Sequence, residues 1–163
     1  MSVSNSILMR NYKALIKSRN YIANKWRDEG DGNFLTVLDK YTGGKLAILP
    51  LAAESLMEEA IKASLSGFEE FRKWSAGKRS SKLEELRKLI ELHKEVLAQL
   101  IVHEAGKPIS YARNEVSRCI TTVETAAAEA LRFGGETVPI DYSSGEGKTA
   151  FTKRFPIGAI ACI

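Results

Sequence analysis

The 163-residue sequence predicts an α/β chain, and three observations predict it. Residues Tyr21 to Pro50 alternate short apolar runs with Gly/Asn turns, which is the pattern of strands. After Pro50 the apolar positions recur at three- and four-residue steps for more than eighty residues, broken twice, which is the pattern of three long helices. From Glu136 onward the pattern returns to β and ends in Ile157-Gly-Ala-Ile-Ala-Cys-Ile163, uncharged and apolar like a strand covered on both faces of a parallel sheet.

Each element has its own signal. Leu8, Tyr12, Leu15 and Ile16 are spaced for one short helix over residues 5–20. Tyr21–Ile22, Lys25–Trp26, Phe34–Leu38 and Leu46–Leu49 read as a β-meander, with the glycines of 28–33 and 42–44 supplying positive-φ turn positions. The first long helix is expected from about Glu54 to Trp74, with Met57, Ile61, Leu65, Phe68 and Phe71 as its buried stripe. Ser75-Ala76-Gly77 ends it. A capping box, Ser81-Lys82-Leu83-Glu84, is expected to open the second helix, which runs to Gly106-Lys107-Pro108, where glycine permits a left-handed cap and proline forbids continuation. The third helix spans about Ser110 to Phe133, burying Val116, Cys119, Ile120, Val123, Ala126, Ala127, Ala130 and Leu131, and the run Ala126-Ala127-Ala128 calls for a close approach of another element. Glu136–Pro139 and Lys148–Phe155 are strand segments flanking a Ser/Gly link at 143–147. The final strand needs covering layers, so the chain is expected to be the N-terminal piece of a larger fold.

Composition removes several function classes. No uncharged stretch approaches the roughly 20 residues of a membrane helix, and the first 20 residues lack an apolar signal core. No membrane partner is expected. Two cysteines, Cys119 and Cys162, exclude a disulfide scaffold and a zinc module, and a reducing, cytoplasmic setting follows. The net charge of +4 arises wholly in residues 1–50, with eight Lys/Arg against four Asp/Glu, while residues 51–163 carry sixteen of each. In the helices the two signs interleave, as a solvated face does, so no nucleic-acid partner is expected.

Single-residue chemistry is sparse. There is no G-x-G-x-x-G, P-loop, G-x-S-x-G or H-E-x-x-H. His93 and His103 lie ten residues apart, off one helical face, and read as solvated or capping histidines. Cys119 reads as a small buried hydrophobe rather than a reactive thiol, and Cys162 likewise. Gly106-Lys107 reads as a helix C-cap with a Lys complementing the dipole.

Taken in order, six segments carry more. Tyr21-Ile-Ala-Asn-Lys-Trp26, Val37-Leu-Asp-Lys-Tyr-Thr-Gly43, Glu104-Ala-Gly-Lys-Pro108, Ala112-Arg-Asn-Glu-Val-Ser-Arg118, Gly135-Glu-Thr-Val-Pro139 and Arg154-Phe-Pro-Ile-Gly158 resemble, in order and spacing, the N-terminal third of the NAD(P)-dependent aldehyde dehydrogenase superfamily. The segments Glu104–Pro108 and Ala112–Arg118 are most similar to the branch handling lactaldehyde, glyceraldehyde phosphate, phosphonoacetaldehyde and other small, often anionic aldehydes. The family's N-P-x-T-G turn departs to Asp39-Lys-Tyr-Thr-Gly43, and its I-N-G-x-W turn to Ile22-Ala-Asn-Lys-Trp26.

The resemblance implies the aldehyde dehydrogenase α/β fold, with its N-terminal β-meander and three long helices ending in the first strand of the nucleotide-binding sheet. It divides the chain into an extension at 1–20, the meander and three-helix part of the cofactor domain at 21–139, a link and oligomerisation strand at 140–155, and the truncated first strand of a Rossmann-like sheet at 156–163. For the complete protein it implies a homo-oligomer, dimer or tetramer, that oxidises an aldehyde to an acid with NAD or NADP through a cysteine thiohemiacetal hydrolysed with the help of a Glu. Neither that cysteine nor that glutamate matches a residue here, so no catalytic and no cofactor-binding residue is assigned. The chain alone is expected to be inactive and to bind no cofactor. By position Arg118 matches an arginine placed near the substrate's anionic group, although an ion pair with Glu115 or Glu124 would serve it equally. The carbonyl of Val37 and the carboxylate of Glu104 match a structural monovalent-cation site. A non-catalytic helical interaction module built on the same scaffold is the alternative reading.

Overall fold

A computed structural model describes residues 12–28 and 30–163. The helix expected over 5–20 lies in part outside these residues, and within them only a single 3-10 turn, Tyr12–Leu15, forms. Strand β1, Asn20–Ile22, begins five residues later and pairs antiparallel with β2, Lys25–Arg27. Ala23 and Asn24, both at positive φ (51° and 62°), make the two-residue turn between them.

β3, Phe34–Leu38, pairs antiparallel with β4, Lys45–Pro50, with an irregularity at Val37/Leu38. The two ladders stay separate rather than joining into one meander. The chain between them turns onto Leu51 instead: the Asp31 amide donates to the Leu51 carbonyl at 3.3 Å, and that carbonyl sits where a side chain on Gly30 would be, 2.5 Å from its Cβ. β1 is tied to β4 through Asn20 Nδ2 donating to the Pro50 carbonyl at 3.2 Å.

Four helices follow. α1, Glu54–Phe71, buries Leu56, and the Arg27–Glu59 ion pair holds it to β2. The rest of its expected core stripe is open: Met57, Ile61 and Leu65 are 55%, 49% and 53% exposed. α2, Ala76–Leu92, starts five residues before the expected capping box, because Ser75 takes the N-cap and its Oγ accepts from the Lys78 amide at 3.1 Å. Ser81 is therefore inside the helix, and Glu84 accepts from Arg87 instead. At His93 (φ −102°, ψ 11°) the helix breaks, and α3, Lys94–Ala105, continues to the left-handed cap at Gly106. α4, Ile109–Arg132, follows Pro108 and packs back along α2 and α3.

The core sits in this last arrangement. Ala98 of α3 and Ala112 of α4 are fully buried, with Val116 and Val96 beside them at 5% and 1% exposure. Two alanines at the crossing let the helix backbones approach closely, and Leu97, Ile101 and Ile120 close the seam. Within the alanine run only Ala127 is buried, and Cys119, expected on the apolar stripe, is exposed.

β5, Thr137–Val138, pairs with β6, Ala150–Phe151. Gly135 is required beside this ladder, since a Cβ there would stand 1.7 Å from the Thr152 carbonyl oxygen. The stretch expected as a terminal strand pairs with no other strand among the described residues; Ile157 and Ile160 are 91% and 72% exposed. A strand's amides and carbonyls need a neighbouring ladder, and the described residues provide none.

Candidate functional site

The turn Gly106-Lys107-Pro108 fixes the first site. Glycine takes φ 70° and its amide closes α3 on the Val102 carbonyl at 2.9 Å, after which proline starts α4. On α4 the positions 111, 114, 115 and 118 follow at helical spacing on one face, and with Lys107 they line an open groove of about 860 Å³. Lys107 and Glu115 form an ion pair across it. Arg113 faces away and holds α4 to α3 through a double hydrogen bond to Glu95, 3.0 and 2.7 Å. That fork keeps the Glu95 carboxyl below the ordinary range.

Arg118 lies exposed in this groove, and its guanidinium has no hydrogen-bond or ion-pair partner among the described residues. Of the two acids that could have claimed it, Glu115 is engaged by Lys107, and Glu124 makes no ion pair among the described residues. An unpaired planar fork beside an open groove suits a carboxylate, sulfonate or phosphate oxygen pair.

The second site joins the β3–β4 loop to the end of α3. Asp39, 9% exposed, accepts from the amides of Tyr41 (3.0 Å) and Thr42 (2.8 Å) and contacts His103 Nδ1 at 2.5 Å. The Thr42 amide first, and His103 second, hold its carboxyl well below the usual carboxylate range. The Lys40 amide donates to the His103 carbonyl at 3.1 Å, and the Tyr12 ring stacks on the imidazole at 4.2 Å. His103 is thus neither solvated nor a cap. The run Asp39-Lys-Tyr-Thr-Gly43 signals the local turn; a histidine 64 residues away gives no sequence signal of its own.

Val37 and Glu104 flank this junction, two residues before Asp39 and one after His103. Glu104 is exposed and its carboxylate makes no hydrogen bond or ion pair among the described residues, where no cluster of three or more His, Cys, Asp or Glu forms. Both cysteines are free and exposed. The Arg118 groove is open, and residues 157–163 pair with no strand among the described residues.

The aldehyde dehydrogenase family profile matches residues 26–163. The chain belongs to that family. Malonate-semialdehyde dehydrogenase 2 of Geobacillus kaustophilus is 32% identical over 145 residues, 89% of this chain and 29% of its own. The 3-sulfolactaldehyde dehydrogenase of Priestia aryabhattai is 31% identical over 144 residues, 88% of this chain and 29% of its own. Among solved structures, aldehyde dehydrogenase 21 from Physcomitrella patens, in complex with the reaction product succinate, superposes with a TM-score of 0.69 at 32% identity, covering 81% of this chain and 28% of that one. The chain therefore spans under a third of these aldehyde dehydrogenases, and it has their α/β fold over that span.

Proposed function

We propose that this chain is the N-terminal portion of an NAD(P)-dependent aldehyde dehydrogenase whose substrate is a small aldehyde bearing a second, anionic group, and that Arg118 receives that group. The observation that carries this reading is the unpaired Arg118 guanidinium in the groove on α4. The relatives lend it support, since malonate semialdehyde carries a carboxylate, 3-sulfolactaldehyde a sulfonate, and succinate a second carboxylate. The oxidation itself, through a cysteine thiohemiacetal, belongs to the remainder of such an enzyme; bound nicotinamide supplies its hydride acceptor. The 163 residues alone are inactive in this reading, and the non-catalytic module has no observation in its favour.

The same reading assigns the Val37 carbonyl and the Glu104 carboxylate to a structural monovalent cation. The Lys40–His103 backbone bond, which brings their two segments together, supports this. It divides the chain at 20, 139 and 155, gives 140–155 to oligomerisation of a dimer or tetramer, gives 156–163 to the nucleotide-binding sheet, and sets the protein in the cytoplasm. No described helix is long and apolar enough to cross a membrane.

The test is a chimera in which this chain replaces the matching N-terminal portion of the Geobacillus malonate-semialdehyde dehydrogenase. Arg118→Gln is expected to raise KM for malonate semialdehyde about tenfold or more while leaving propanal unaffected, as loss of one charge-assisted contact should. Equal effects on the two aldehydes would remove Arg118 from substrate recognition.

A further inference from the structure

Where α1 ends, α2 begins and the chain emerges from β6, a second cleft of about 340 Å³ opens, near the lower end of the roughly 300–1,000 Å³ of small-molecule sites. It lies at the far end of α4 from Arg118, about 22 Å along the helix axis by the rise per residue. Its apolar walls are Phe68 and Phe71 from the last turns of α1, Phe133 just beyond α4, and Phe155 on the C-terminal segment. Three arginines, Arg72, Arg79 and Arg154, line the same cleft, and no Asp or Glu does.

The guanidinium groups are arranged rather than merely nearby. Arg154 lies over the Phe133 ring at 4.8 Å and has no acidic partner among the described residues. Arg79 is held by the Trp74 carbonyl at 2.6 Å and likewise pairs with no acid. Arg72 lies over Phe68 at 5.4 Å and reaches only the exposed Glu69, at 3.4 Å. An arginine stacked on a ring keeps its N–H edge available, and that edge takes a carboxylate in a fork. Four phenylalanines in one lining favour a flat ring, by offset or edge-on contact, and Lys153 over the Phe155 ring at 5.5 Å adds a further cation beside it.

We propose that this cleft binds a small aromatic carboxylate, its carboxylate taken by Arg154 and Arg79 and its ring held against Phe71 and Phe155. The site is separate from the Arg118 groove and stands whether or not that groove receives substrate. Benzoate is the probe. Trp74, whose ring is 5.0 Å from that of Phe71, reports binding by fluorescence in a Trp26→Phe background, where no second tryptophan contributes.

Benzoate is expected to saturate at millimolar concentration or below, at least tenfold tighter than benzyl alcohol, which lacks the charge, or acetate, which lacks the ring. Arg154→Gln and Arg79→Gln, each checked for unchanged helical circular dichroism, are expected to weaken it about tenfold. A benzyl alcohol response equal to benzoate would reduce the cleft to an apolar patch, and an equal acetate response would reduce it to surface cations. Absence of saturation, or indifference to both substitutions in folded protein, would overturn the proposal.

Discussion

The seam between α3 and α4 and the stripe along α1 both carry apolar residues at helical spacing and reach opposite ends. At the seam, Ala98, Ala112 and Val116 are buried within a crossing that the chain closes on itself. On α1, Met57, Ile61 and Leu65 keep about half their surface in solvent, and Ile157 and Ile160 keep more. Helical periodicity identifies which face of a helix is apolar; it does not say which element covers it. The seam has its partner 14 residues away across one tight turn, so burial there is local. On α1, the positions Met57, Ile61 and Leu65 are left half open among the described residues, in a chain that spans under a third of its relatives.

The sharpest way to break this contrast is to enlarge one residue and truncate another. Ala112→Leu adds volume where no exposed surface remains and is expected to lower the unfolding free energy of the chain by about 3 kcal/mol, the upper range of core overpacking. Leu65→Ala, at 53% exposure, is expected to cost well under 1 kcal/mol. Urea unfolding followed by circular dichroism measures both. Similar losses would mean that the stripe is covered in solution. Ile61→Asp sharpens the same point, since it is expected to leave the urea midpoint nearly unchanged while reducing binding of a dye for exposed apolar surface.

Asp39→Ala comes next in size. It removes the acceptor for two amides and for His103, a junction with no counterpart on α1, and is expected to lower the melting temperature less than Ala112→Leu does. A melting temperature equal to that of the unsubstituted chain would show that the Lys40–His103 backbone bond holds the loop unaided.

These sites show how far the residues alone reach. The helical region, the hairpin strands and the Gly106 cap were legible because periodicity and turn chemistry are local signals, whereas the break at His93, which makes four helices of the expected three, was not. The start of α2 was not, because Ser75 and Ser81 each carry capping chemistry and only the packed chain selects one. Ordered motifs conveyed the family, confirmed over residues 26–163, and pointed to Arg118; they could not tell an ion-paired arginine from a free one, because that depended on Lys107 claiming Glu115. The Asp39–His103 contact was illegible for the same reason, its partners being 64 residues apart.

The turn of β1–β2 offers a gain rather than a loss. Ala23 sits at φ 51°, a region that alanine enters with strain and asparagine tolerates. Ala23→Asn is expected to stabilise the chain by about 0.5–1 kcal/mol without altering any packed contact. An unchanged or lower urea midpoint would place the strain elsewhere in the turn.

The smallest effect lies on the surface of the best-packed region. Glu95 and Arg113 make a two-pronged pair across α3 and α4, yet both side chains are at least half exposed, and exposed pairs contribute about 0.2–1 kcal/mol. Arg113 holds the Glu95 carboxyl below its ordinary range, so the folded chain binds that proton less readily than the unfolded chain does. The contribution is complete above the unfolded value of about 4.3 and disappears as pH falls through the lower folded value. Glu95→Gln is therefore expected to cost no more than about 0.5 kcal/mol at pH 7, with the difference closing below about pH 4 and shrinking in high salt. A larger loss that salt screens would assign the stability of the seam to its ion pair instead of to the close approach that Ala98 and Ala112 permit.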